Sequence, residues 1–226
     1  IVVNGPYRLA AWERGDRLVL RRNEAYYGAA DVRIPEVRFL IVPESSTGLA
    51  MYENGELDVL GARYLSLPSP DIPRIKADPV LGRQLSITPG LCTYYYGFNT
   101  ARPPMDDPRV RKAFSAAIDR KLLIDRVVRG DQRPATTFTP MPVFGAVPPE
   151  AGLGIGHDPE RARQWLAQAG YPGGKGFPEV VLMYNTSENH GRIAQAIQQM
   201  WRRELGVTVR VENQEWKVYL QTTREE

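Results

Sequence analysis

The stretch Leu91–Asn99 reads LCTYYYGFN and sets the chain's single cysteine beside three consecutive tyrosines. A thiolate is a nucleophile or half of a disulfide, while each phenol offers an apolar body with a polar tip. One cysteine makes no internal disulfide, so Cys92 is either a buried apolar thiol, the commoner case, or half of a bridge to sequence outside the chain. The second reactive cluster is Asn185-Thr186-Ser187-Glu188-Asn189-His190, with Trp216 further on. Ser187 and His190 have the residue types of a hydrolase, but neither a nucleophile elbow nor an assignable acid accompanies them. No cysteine or histidine cluster has zinc spacing, and no Asp-rich loop matches a calcium site. Neither a catalytic residue, a metal nor a cofactor is therefore expected. GLGIGH at 152–157 follows a proline-rich loop where a dinucleotide fingerprint needs a strand. GGKG at 173–176 lacks the spacing of a phosphate loop, and His157, just ahead of Asp158, reads as a loop residue.

Composition narrows the classes further. At 226 residues and 42% hydrophobic, the chain suffices for one large domain or two small ones. No apolar run reaches the roughly 18 residues of a transmembrane helix. The net charge is +3, and the bases, 24 arginines and 5 lysines, are interleaved with acids, as in DRKLLIDRVVRGDQR. A nucleic-acid binder gathers its charge on one face, so nucleic acid is not an expected partner. The opening IVVNGPYRL has neither a basic region nor a cleavage site, and EWKVYLQTTREE starts a helix at the end, so the chain reads as a fragment of a longer one.

The elements that must position these residues are α/β in character. RLVLRR at 17–22 and VRFLIV at 37–42 have strand composition. Ser45-Ser46-Thr47 offers an N-cap for a short helix to Glu53, Asn54-Gly55 ends it, and LDVL at 57–60 reads as a returning strand, completing a compact β-α-β unit. Gln84–Asn99 reads as one long extended apolar stretch. Asp107-Pro108 then opens a helix bearing Val110, Ala113, Phe114 and Ala117 on one face. Asp119 caps a second, with Leu122, Leu123 and Val127 together and Gly130 as its stop. Pro134–Pro149 is irregular, and a third helix runs from Asp158-Pro159-Glu160 to Gly170. The last third is the clearest. EVVLMY at 179–184 is a buried strand, a helix over 188–205 carries Ile193, Ile197, Met200, Trp201 and Leu205 on one stripe, Gly206 ends it, and VTVRVE at 207–212 follows. Such a unit is a parallel, right-handed crossover, and its ligand crevice lies beyond the carboxyl ends of the strands.

That rule places the best site at Asn185–His190, a polar loop opening a helix whose free N–H groups favour an anion. A histidine in a first helical turn is more often a solvated surface residue, yet this position raises the case for a ligand. A bound peptide carboxylate would raise its pKa and strengthen the contact. Trp216 reads equally as a core indole and as an aromatic wall at the same sheet edge. In an extended segment Tyr94 and Tyr96 share one face and Tyr95 takes the other, as suits a strand between a core and a cleft.

The blocks NGPYRLAAWERGDRLVLRRNEAYYG, ENGELDVL, LCTYYYGFNTARPPMDDPRVRKAFSAAIDRKLLI, YNTSENH and ENQEWKVYLQT resemble, in this order and across essentially the whole chain, the extracytoplasmic oligopeptide-binding proteins of bacterial ABC importers, solute-binding family 5. The resemblance implies a fragment of a bilobed, type II periplasmic-binding fold with mixed sheets flanked by helices. Residues 1–91 would belong to the first lobe and 92–226 to the opposite lobe (lobe III), with a crossover near 88–99. The inserted lobe, the last strands of both lobes and the return crossover would lie outside the chain. So would the acidic residue that holds the peptide's amino terminus.

It further implies that Tyr95, Asn185, His190, Trp216 and Arg224 bind ligand, His190 meeting the carboxylate of one length of peptide. Cys92 would pair with a cysteine on the missing return crossover. Gly97, Val128, Thr223 and Arg224 depart from the family's pattern: Val128 stands where a carboxylate-binding lysine is found, with Arg126 and Arg129 adjacent. The function implied is capture of an extended peptide through its backbone, as in strand addition, with side chains in wet, roomy pockets, followed by delivery to the ABC permease in the membrane. The location implied is periplasmic or extracytoplasmic, with or without a lipid anchor. Within the family the alternatives are a dipeptide, murein peptide, nickel chelate or sugar; outside it, the Ser/His hydrolase. The full-length protein is expected to be a monomer, and the fragment to bind peptide poorly and to dimerise through exposed sheet edges.

Overall fold

The computed structural model describes residues 3–61, 65–88, 90–130 and 132–225. Ile1, Val2, Pro89, Asp131 and Glu226, which fall in stretches named above, lie outside them. The chain forms two compact units, Ile1–Pro68 and Ser69–Glu226.

The first unit is a three-stranded antiparallel meander of β1 (Tyr7–Glu13), β2 (Arg17–Arg22) and β3 (Glu36–Leu40), in that order. A bulge between Leu9 and Ala11 interrupts the β1–β2 register, and Gly15, at φ 79°, turns the chain. Arg21 stands opposite Glu36 and pairs with it at 2.9 Å, so charge and register agree. Asn23, 9% exposed, satisfies its burial by donating to the Gly5 carbonyl and accepting from Ala25 N. Helix α1 (Ser45–Glu53) begins at Ser45 with Glu44 as N-cap, so the serines expected to cap it lie in its first turn, and Gly55 follows its end at φ 78°. The expected β-α-β unit does not form. β3 is spent on an antiparallel ladder with β2, and Leu57–Leu60 pairs with no strand among the described residues. A strand needs a neighbouring edge, which composition alone does not supply.

The second unit opens with α2 (Ile72–Ala77) and α3 (Leu81–Gln84). Residues 85–88 and 90–99 then run without joining a sheet. Helix α4 (Pro108–Ala116) has Asp107 as its N-cap, whose carboxylate accepts from Arg109 N at 2.7 Å. The Arg109 guanidinium on the same carboxylate holds its pKa below the usual range. Asp119 caps α5 (Arg120–Leu122), which continues as a π-helical turn over Leu123–Val128. Its stop is Arg129 at φ 56°, not Gly130, so a charged side chain occupies the left-handed position. Helix α6 (Pro159–Gln168) is capped by Asp158, whose N–H also reaches the Ala116 carbonyl at the end of α4.

Then come β4 (Val180–Asn185), α7 (Glu188–Leu205), β5 (Val209–Gln214) and α8 (Trp216–Glu225), with β4 and β5 parallel and in register from Val180↔Val209 to Asn185↔Gln214. All five residues of the predicted α7 stripe are buried. Phe114 lies at the centre of this core, fully buried, with ring centroids of Trp201 at 4.8 Å, Phe177 at 5.4 Å and Phe98 at 6.4 Å. Trp201 Nε1 donates to the Phe114 carbonyl at 2.8 Å, which joins α7 to α4 inside the apolar interior.

Candidate functional site

Because β4 and β5 are parallel, their last residues, Asn185 and Gln214, end side by side at the carboxyl edge. The Thr186 N–H continues the ladder to the Gln214 carbonyl at 2.8 Å, and its hydroxyl donates to Asn213 Oδ1 at 2.8 Å, fixing the turn into α7. The Asn185 amide, half-buried, makes no side-chain hydrogen bond among the described residues. Gln214 Oε1 is buried and without a partner, although the Gln214 amide nitrogen donates to Glu212.

His190 sits one turn into α7, half-buried, and its Nδ1 lies 2.9 Å from Tyr94 Oη. Tyr94 Oη in turn lies 3.3 Å from Tyr96 Oη, with the two rings edge to face at 5.7 Å. Tyr94 is 53% exposed overall, but its hydroxyl is held between those two partners. Burial raises the Tyr94 pKa and lifts that of Tyr96 well above the phenol range, where the Tyr94 hydrogen bond and the neighbouring Tyr219 and Tyr184 phenols add to the effect. Burial alone lowers the His190 pKa, so its ordinary form is the neutral imidazole. Gly191 gives Tyr184 room: a Cβ there would lie 3.2 Å from Tyr184 Oη.

The alternation expected of the tyrosines holds although the segment is in no sheet. Tyr95 points away from His190, 64% exposed, with its ring edge-on to Phe138 at 5.1 Å. Trp216 is not a core indole. It is 53% exposed at the start of α8 and stacks on Tyr219 at 5.9 Å and 15°. Arg224 lies in the last turn of α8, about 12 Å along the helix from Trp216, and makes no contact with the histidine cluster among the described residues. Cys92 is exposed, which overturns the buried-thiol reading; the chain around it leans on no sheet.

The structure thus brings Asn185 and His190 together at one edge, and leaves Tyr95, Arg224 and Cys92 apart from them. Sequence reasoning missed Tyr94 as the partner of His190, because 96 positions separate them. It also missed Tyr219, which stands three residues after Trp216 on one helix face, a spacing that carried the signal. The hydrolase reading loses its geometry: His190 Nδ1 meets a phenol where a triad needs a carboxylate. Arg126 and Arg129, flagged beside Val128, join Arg192, Gln195 and Gln199 around a cavity of about 310 Å³.

The site is thus the carboxyl edge of a parallel strand-helix-strand unit, with the Asn185 amide, the Tyr94-bonded imidazole of His190 and the half-exposed Trp216 indole close along the chain to the strand ends, the edge at which open α/β folds place their ligands. The sequence profile of the bacterial extracellular solute-binding proteins, family 5, middle region, matches residues 1–226. The chain is 36% identical over 225 residues to the periplasmic oligopeptide-binding protein OppA of Salmonella typhimurium, covering 98% of this chain and 40% of that protein. With the oligopeptide-binding protein OppA of Bacillus subtilis it shares 31% over 223 residues, 97% of this chain and 40% of the relative. The structure of the murein tripeptide binding protein MppA of Escherichia coli superposes with a TM-score of 0.84 at 35% identity, over 97% of this chain and 42% of that one. The chain belongs to solute-binding protein family 5, and its fold is that family's mixed arrangement of sheets and helices. It spans about 40% of the length of the curated relatives it matches.

Proposed function

We propose that this chain is part of an extracytoplasmic protein that captures oligopeptides by their backbone and hands them to the permease of an ABC importer. The observation that carries this reading is the carboxyl edge of β4 and β5, where the Asn185 amide and the His190 imidazole, bonded through Nδ1 alone among the described residues, offer groups that can bond an extended main chain. Trp216 and Tyr95, both more than half exposed, offer the flat apolar walls against which varied side chains rest without a sequence requirement. Membership of family 5 supports the same reading, since its relatives include proteins named for oligopeptides and for murein tripeptide. In the whole protein, residues 1–91 and 92–226 would fall to opposite lobes, joined through 88–99. The exposure of Cys92 supports its bridge to a cysteine outside the chain.

Calorimetry of the full-length protein with peptides of two to six residues tests this. Binding at more than one length and over unrelated sequences is the expected result. Binding of dipeptides alone, of a nickel chelate or of a sugar, with none of longer peptides, would replace the oligopeptide reading.

A further inference from the structure

The groove between the π-helical turn at Leu123–Val128 and α7 has a volume of about 310 Å³. Its charged lining is Arg126, Arg129 and Arg192, joined by the Gln195 and Gln199 amides and by no carboxylate. Arg192, Gln195 and Gln199 recur at i, i+3 and i+7, so they form one exposed strip of α7, beside the buried stripe of Ile193, Ile197 and Met200. None of the three guanidiniums makes a hydrogen bond or ion pair among the described residues. Asp125, next in the chain to Arg126, is taken by Lys121 at 2.5 Å. Farther along α7, Arg203 has its own acid, Glu204, at 2.6 Å. Three like charges around one cavity repel one another, and nothing in the lining offsets them.

The backbone adds a second observation. Arg129 is the only residue other than glycine at positive φ among the described residues, at 56°. Its N–H bonds the Ile124 carbonyl at 2.7 Å and ends the π-helical turn. Gly130 follows directly and would hold a left-handed stop with no Cβ to clash. The chain instead sets an arginine there, against its backbone preference, and the same arginine completes the cationic wall. Strain at a residue whose side chain lines an uncompensated cavity points to binding, because it does not serve stability. Val128 shares no part of this wall; it packs on the apolar core.

Charge and geometry decide the class of ligand. A guanidinium presents a planar fork of N–H donors that fits two oxygens of one oxyanion. A single carboxylate would leave two of the three charges unmet. A phosphate dianion or a diphosphate meets them more fully, and the glutamine amides can donate to further oxygens. We propose that this groove is a phosphate-binding site, separate from the carboxyl edge of β4 and β5, in which Arg126, Arg129 and Arg192 hold a phosphate or diphosphate group. The group is either free in solution or carried on a lipid headgroup. The proposal does not depend on the peptide-binding reading.

The test is calorimetry of the full-length protein with pyrophosphate, inorganic phosphate and acetate, in a phosphate-free buffer at constant ionic strength. Pyrophosphate should bind at one per chain and more tightly than acetate. Arg126→Gln and Arg192→Gln should each weaken it roughly tenfold or more, since each removes charged hydrogen bonds. Arg33→Gln removes the same charge from an exposed position outside the groove and should leave the affinity as it was. Arg129→Gly separates binding from folding: affinity should fall while the thermal midpoint stays level or rises, as the strain is relieved. Flotation with phosphatidylcholine vesicles, with and without phosphatidic acid, identifies the source. Capture by the acidic vesicles that the groove variants lose supports a headgroup, and pyrophosphate binding without capture supports a free phosphate. Binding of neither pyrophosphate nor acidic vesicles would overturn the proposal. So would acetate binding as tight as pyrophosphate, or a loss in Arg33→Gln equal to that in the groove variants. None of these outcomes bears on the peptide calorimetry, so the two readings stand or fall separately.

Discussion

Gly206→Ala isolates a steric constraint that the helix-ending pattern does not reveal. Gly206 ends α7 at φ 69°, where an L side chain costs about 1–2 kcal/mol by backbone sterics alone. A Cβ built there would also lie 2.4 Å from the Gly173 carbonyl oxygen, about 1 Å inside the 3.4 Å at which ordinary contact begins. The obstacle is backbone, and it is reciprocal, since a Cβ on Gly174 would lie 2.5 Å from the Gly206 carbonyl oxygen. Relieving the overlap means moving the Pro172–Gly174 turn off the end of α7, an overpacking cost of about 1–3 kcal/mol. Gly170 provides the control. It follows α6 at φ 99°, yet nothing lies within 4 Å of a Cβ there, so Gly170→Ala incurs only the conformational cost. Amide hydrogen exchange at Ile197, Met200 and Trp201 reads the stability of α7 directly. These amides should exchange roughly 5- to 150-fold faster in Gly206→Ala than in Gly170→Ala, the fold-change that about 1–3 kcal/mol gives. Equal protection in the two variants would show that the close approach of the turn to the helix end contributes nothing.

Two further outcomes follow from the core and the site. Trp201→Phe keeps an aromatic ring against Phe114 but orphans the buried Phe114 carbonyl, so chemical denaturation followed by circular dichroism should show a loss of about 1–3 kcal/mol; an unchanged midpoint would mean that the carbonyl finds another donor. Because burial lowers the His190 pKa, the unfolded chain binds its proton more readily than the folded one, so this residue's contribution to stability is full above the unfolded value of about 6.5 and falls as pH drops from there toward the lowered folded value. His190→Gln should flatten the stability profile across that window, and a slope unaltered by the substitution would exclude His190 as its source.

Local signals settled much of this chain. The helix over 188–205 was legible because five large apolar residues recur at helical spacing and a glycine stops them, and those residues are the core in the structure. Asp107-Pro108 and Asp158-Pro159 fixed two helix starts, because capping is a bond between residues two or three positions apart. The alternation of Tyr94, Tyr95 and Tyr96 needed only an extended backbone. The carboxyl edge at Asn185 followed from one strand-helix-strand unit, since parallel pairing and the placing of that edge are decided within 36 residues, Val180 to Glu215.

Tertiary structure decided what depends on partners distant along the chain. LDVL at 57–60 has strand composition, but β3 pairs with β2 and leaves it no edge. Arg129 takes the left-handed stop that Gly130 was expected to hold, because the π-turn shifts the end of that helix by a residue. Trp216 reads alike as wall or core until α8 places it against Tyr219 and solvent. Above all, the pairing of His190 with Tyr94 brings together groups whose separation no local pattern spans. The sequence by itself determined the capped and periodic helices and the parallel β4–α7–β5 unit, since those are matters of periodicity and caps. The partner of the histidine was decided only when the fold set a phenol hydroxyl, and no carboxylate, 2.9 Å from its Nδ1.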